Sequence, residues 1–176
     1  MINYYDEIKE KLLKNEIYAK VKFYSKERNK VLTYFVVGKL LSEAGKEYGN
    51  DIIGKYTEKL VNEVGKKYNR STLFRMKQFY NIFSNEKVAP MVRQLNWTYC
   101  LILIPLKDIN VIYYYSKQVI LKNLTKKSLI KSREYERLGE ETKNKLVTNE
   151  ELSLPDLVPD PLLIKTEINQ EKIIKK

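Results

Sequence analysis

Leu60–Phe83 reads LVNEVGKKYNRSTLFRMKQFYNIF. Leu60 and Val64 continue an apolar stripe that begins at Ile53 and Tyr56, at helical spacing. Leu73, Met76, Tyr80 and Phe83 form a second stripe. Between the two, Gly65-Lys66-Lys67-Tyr68-Asn69-Arg70 interrupts the periodicity, so the segment reads as two helices joined by a turn. The expected helices run from about Asp51 to Lys67 and from Ser71 onward, with the Ser71 hydroxyl capping the second. The pair, at about 52–84, has the form of a helix-turn-helix.

The pattern outside this stretch is also helical. Glycine (6) and proline (5) are scarce, and three of the prolines fall at Pro155, Pro159 and Pro161, which leaves most of the first 150 residues free to be helical. A first helix is expected over Tyr4–Lys14 and a long second one over Ile17–Glu47, where Val31, Tyr34, Phe35, Gly38, Leu40 and Leu41 recur at three- and four-residue spacing. Gly49 suits the left-handed stop. Pro90 interrupts a short segment, and Asn96 caps the apolar run WTYCLILI, which stops near Pro105. Asp108 caps a Tyr-rich helix to about Lys122, and Thr125 another to about Leu138. The fold class is therefore all-α, a bundle of about seven to eight helices over 1–138, followed by an irregular, Pro-containing linker and tail over 139–176. Thr166–Lys176 reads as a frayed helix or as disordered chain.

Lys plus Arg number 33 and Asp plus Glu 22, a net charge of +11. Such an excess suits a polyanionic partner, although a compositional bias of the source genome gives the same numbers. There is no His, and so no imidazole base or ligand. The only cysteine, Cys100, sits in an apolar run and reads as a core residue. No Gly-rich phosphate loop, no carboxylate pair at catalytic spacing beside an apolar pocket signature and no Cys/His ligand set is present, so neither catalytic residues, metal nor cofactor are expected. The amphipathic N-terminus and short apolar runs predict a soluble, cytoplasmic protein without a membrane partner.

Nucleic-acid contact is the chemistry the pattern supports. In a helix-turn-helix the N-terminal end of the second helix enters the groove, and cations in the turn hold phosphates. With the apolar stripe inward, Arg70, Ser71, Phe74, Arg75, Lys77 and Gln78 lie on or near the outer face. Arg and Gln can bond guanine or adenine bidentately. Lys126, Lys127, Lys131 and Arg133 mark a second basic helix, either a solvated face or an extension of the phosphate surface. Tyr113, Tyr114 and Tyr115 fan out by about 100° each, so at least one is expected at the surface, where it could stack on a base or anchor a partner.

Four segments resemble the N-terminal domain of the YhcG-type bacterial proteins. They are VVGKLLSEAGKEYG (36–49), GKKYNRSTLFRMKQFYNIF (65–83), QLNWTYCLILIPL (94–106) and SLIKSREYERL (128–138). Full-length members of that family carry a C-terminal PD-(D/E)XK-type nuclease domain. The resemblance implies a helical, DNA-binding domain and assigns that role to Arg70, Arg75 and Gln78. The nuclease core needs a mixed sheet, for which the residues after Gly139 are too few and lack strand patterning. Glu7-Ile8-Lys9 and Glu141-Thr142-Lys143 have the Glu-x-Lys form but fall on expected helices.

Two functional readings follow. The first is a non-catalytic DNA-binding or targeting module, with DNA ahead of RNA. Arg70, Ser71, Thr72, Arg75 and Gln78 would meet the groove and Lys66, Lys67, Lys126 and Lys127 the phosphates, with Lys77 a further nucleic-acid contact. The second is a stand-alone phage or mobile-element inhibitor, anti-CRISPR-like, that binds a nuclease or CRISPR effector protein or its RNA. A homodimer built on exposed Tyr and Phe is compatible with either.

Overall fold

The computed structural model describes residues 3–21, 26–49, 51–148, 150–152 and 155–157. Among these residues it is all-α, with eight α-helices and no strand. They fall into two compact units, divided between Lys107 and Asp108. The first holds α1 (Tyr4–Val21), α2 (Lys26–Tyr48), α3 (Ile52–Glu63), α4 (Arg70–Phe83) and α5 (Trp97–Leu103). The second holds α6 (Ile109–Lys122), α7 (Lys126–Lys131) and α8 (Glu140–Val147). Short 3-10 turns at Ala89–Arg93, Ile104–Leu106, Glu134–Arg137 and Pro155–Leu157 connect or follow them.

The first unit is organised around the packing of α2 on α4. Val37, Leu40, Leu41 and Ala44 of α2 are buried, as are Leu73, Met76, Phe79 and Phe83 of α4. At the crossing α2 places Gly38, and a Cβ there would overlap the Met76 carbonyl oxygen. It would lie 2.8 Å from the Met76 carbonyl carbon and 2.9 Å from Tyr80 Cβ. The two backbones meet at a distance that only glycine allows. Around the crossing, aromatic rings pack edge-on: Phe35 against Phe79 at 5.7 Å and Tyr80 at 5.2 Å, and Trp97 of α5 against Tyr34 at 4.9 Å and Phe79 at 5.4 Å. Ser42 Oγ donates to Asn81 Oδ1 across the same interface at 2.7 Å.

Several boundaries differ from the sequence expectation. α1 continues past Lys14 to Val21, because Asn15, the polar residue at the expected break, is buried and accepts from Asn29 Nδ2 of α2 at 3.2 Å. Its polar group is satisfied without leaving the helix. The expected second helix also covers residues 22–25, which lie outside the described residues. Phe79, absent from the expected stripe, is fully buried, whereas Tyr80 is half-buried. The C-terminal stop at Gly49 has φ +82° as expected.

In the second unit the caps at Asp108 and Thr125 form as expected, accepting from Asn110 N at 2.7 Å and Ser128 N at 3.2 Å. α7 ends at Lys131, short of Leu138, because Ser132 turns extended and the chain resumes as the 3-10 turn Glu134–Arg137. Tyr113, Tyr114 and Tyr115 are all buried, against the expectation that one is exposed. The reason is that α6 is covered on more than one side, by α8 and by the turns at Glu134–Arg137 and Pro155–Leu157. Tyr135 packs on Tyr114 at 5.7 Å, and the Tyr115 hydroxyl donates to Ser132 O at 3.2 Å.

Part of the segment read as linker is structured. Leu146 of α8, Leu152 and Leu157 are buried, and Lys145 pairs with Asp156 at 2.8 Å. Gln118 and Lys122 of α6 both donate to Leu157 O, at 3.1 and 2.7 Å. Pro159, Pro161 and Thr166–Lys176 lie outside the described residues. Among the described residues no helix is long and apolar enough to cross a membrane.

The crossing gives a paired expectation. Gly38→Ala forces a methyl onto backbone and should cost about 2–3 kcal/mol, read as a lower melting temperature. Gly54→Ala, in α3 with nothing within 4 Å, should instead gain about 0.5 kcal/mol. A Gly38→Ala protein as stable as wild type would remove the close approach from the account.

Candidate nucleic-acid interface

α3 stops at Glu63, earlier than Lys67, because the following turn takes Gly65 to φ +154°, a backbone that other residues rarely adopt. Residues 64–69 make the connection, longer than the three or four residues of a minimal helix-turn-helix. α4 packs more extensively on α2 than on α3.

The turn is tied down by its tyrosine. Tyr68 is buried and its hydroxyl donates to Glu16 of α1, while Lys67 Nζ pairs with the same carboxylate at 2.6 Å. Burial, and then the bond to Glu16, push the Tyr68 hydroxyl well above the ordinary phenol range, so it remains a donor. Lys67, expected on phosphate, is thus engaged within the unit, and its ammonium also lies 5.3 Å from the Tyr68 ring. Lys66 beside it is exposed.

The N-cap of α4 is Asn69, not Ser71. Asn69 has extended φ/ψ (−70°, 169°), and its side chain accepts from Thr72 N at 3.1 Å. Ser71 already lies inside the first turn, where it cannot take the extended geometry a cap needs. The shift leaves Ser71 exposed on the outer face, while Thr72 is half-buried with its N–H taken by the cap.

Burying Leu73, Met76, Phe79 and Phe83 turns Arg70, Ser71, Phe74, Arg75 and Gln78 to solvent. At about 100° per residue these five span roughly 140° of the helix circumference. The charged residues of α4 are Arg70, Arg75 and Lys77, and it has no carboxylate. Lys77 sits at the margin of the buried face, half-exposed. The positive end of the helix dipole adds to this field near Arg70.

Of two further features of the face, the first is an i,i+4 pair within α4, and only the second had no local sequence signal. The Arg70 guanidinium lies 5.9 Å from the Phe74 ring centroid, so the exposed aromatic is capped by a cation. Arg75 and Gln78 border a pocket of about 230 Å³ whose other walls are Leu101, Ile104 and Pro105. That pocket joins α4 to the end of α5, a contact between residues far apart in sequence. The Asn96 cap that positions α5 forms as expected, accepting from Tyr99 N at 3.1 Å.

Of the remaining expected residues, Lys126 and Lys127 are exposed on α7 and belong to the second unit. Cys100 is buried, and burial pushes its thiol up to about 12, so it is a core residue and not a thiolate at neutral pH. No group of three or more Cys, Asp or Glu residues able to hold a metal ion occurs among the described residues.

A profile of the family described as the DUF1016 N-terminal domain matches residues 7–137. No curated protein and no solved structure matches the chain.

The cap assignment is testable by urea denaturation. Asn69→Ala should lose about 1 kcal/mol, and Ser71→Ala less than about 0.5 kcal/mol. The reverse order would restore Ser71 as the cap.

Proposed function

The chain belongs to the DUF1016 N-terminal domain family, the N-terminal domain of the YhcG-type proteins, and from that premise we propose that it is a nucleic-acid-binding or targeting module, non-catalytic by itself. The observation that carries this reading is the outer arc of α4. There Arg70, Arg75 and Gln78 stand exposed together on a rigid helix without a carboxylate. Planar guanidinium and amide groups of this kind bond phosphates and base edges bidentately, and a helix holds them in fixed register. Duplex DNA is the expected ligand, with Lys66 on the phosphates beside the helix. In the second unit, the exposed Lys126 and Lys127 of α7 are candidate phosphate contacts in their own right. The lack of His and the buried Cys100 fit a domain that positions a partner without doing chemistry itself.

One observation favours a second reading, a phage or mobile-element inhibitor that binds a nuclease or CRISPR effector. Phe74 capped by Arg70 combines two residue types enriched at protein interfaces. A protein retained on the chain after nuclease digestion of a pull-down would support it.

For the first reading, fluorescence anisotropy with a short DNA duplex is the test. Wild type should bind with an affinity that falls steeply with salt. Arg70→Ala and Arg75→Ala should each weaken binding about tenfold and make the slope of log K against log salt shallower by about 1. No binding at low salt, or binding indifferent to both substitutions, would sink the proposal.

A further inference from the structure

A second cationic site lies in the second unit and uses none of the α4 residues. Ser128 and Lys131 of α7, Ser132 and Arg133 after it, and Glu134 and Arg137 of the next turn line a pocket of about 310 Å³. That volume is at the small end of the range for ligand sites. The change of backbone direction at Ser132 shapes the pocket, and Ser132 O is fixed by the Tyr115 hydroxyl at 3.2 Å.

The charge in this pocket is one-sided. Glu134, its carboxylate, accepts from buried Gln118 Nε2 at 2.8 Å and lies 3.7 Å from Lys122 Nζ, so its charge is already met from α6. Among the described residues, none of Lys131, Arg133 and Arg137 is in an ion pair. Ser128 Oγ accepts from the Thr125 hydroxyl at 2.9 Å, which leaves its own hydrogen to give. Three cations, two of them guanidinium forks, surround a cavity with serine hydroxyls in its wall. Three cations outnumber the single carboxylate in this lining, and a multiply charged anion offsets that excess while filling the forks' bidentate geometry.

We infer that this pocket binds a phosphate chain, with Arg133 and Arg137 as the bidentate donors and Lys131 as the point charge. The same chemistry is offered by a free di- or triphosphate compound and by the phosphorylated end of a nucleic-acid strand. The probe for the shared chemistry is inorganic pyrophosphate, titrated calorimetrically into the full chain at low chloride. Binding should be measurable, and Arg133→Gln and Arg137→Gln should each weaken it about tenfold, with unchanged helical circular dichroism. Single-stranded oligonucleotides with and without a 5′-phosphate separate the two sources. A gain in affinity from the phosphate that either substitution erases assigns the site to strand ends. Pyrophosphate binding without that gain assigns it to small phosphate compounds. No pyrophosphate binding by the wild type, or binding that survives both substitutions, overturns the inference. That failure would leave the α4 reading standing, since duplex contact by Arg70, Arg75 and Gln78 draws on none of these side chains.

Discussion

What α4 presents to solvent is set by how closely its other side lies against α2, and that approach depends on the missing side chain at Gly38. With glycine there, the Met76 carbonyl and Tyr80 Cβ come within a distance that a methyl group would occupy. Such an approach lets Phe35, Phe79 and Trp97 close around the crossing edge-on. The burial of Leu73, Met76, Phe79 and Phe83 fixes the rotation of α4 about its axis. Each residue along a helix turns its position by about 100°, so a slip of one residue would carry Arg75 toward the core and an apolar residue outward. The exposure of Arg70, Arg75 and Gln78 is therefore a consequence of core packing. Tyr68, anchored on Glu16, fixes where α4 starts.

The elements legible in the sequence are those whose cause is local. Asn96, Asp108 and Thr125 each precede a periodic run and each caps it, because a capping side chain needs only the N–H groups two or three residues ahead. Gly49 stops α2 for a similarly local reason. Asn69 and Ser71 are both capping types two positions apart, and residue identity does not choose between them; the extended backbone at Asn69 does. The break expected near Asn15 fails because Asn29, 14 positions away, supplies the partner that keeps Asn15 in a helix.

Burial around α6 was illegible for another reason. Three consecutive tyrosines on a helix with one covered face must leave one exposed. Turns well downstream in sequence cover the others, and the composition of 150–157 carries no sign of that return. The candidate face was legible in its outline, since the apolar stripe of α4 implies the opposite arc. What the pattern could not show was that Lys67 is held by Glu16, or that Leu101 and Ile104 wall a pocket beside Arg75. Each of these needs the spatial position of a second segment. The net effect is to move weight from the turn lysines to the helix arginines.

The proposal that α4 is the contact surface rests on its exposed helix face without a carboxylate, in a chain that matches its family over 7–137. The most direct measurement is a titration of the isotopically labelled full chain with a short DNA duplex, followed residue by residue through backbone amide chemical shifts. The expected result is a set of progressive shifts at Arg70, Ser71, Phe74, Arg75 and Gln78, with Leu73, Met76 and Phe79 moving less. Saturable shifts elsewhere, with the outer arc of α4 unmoved, would contradict the account.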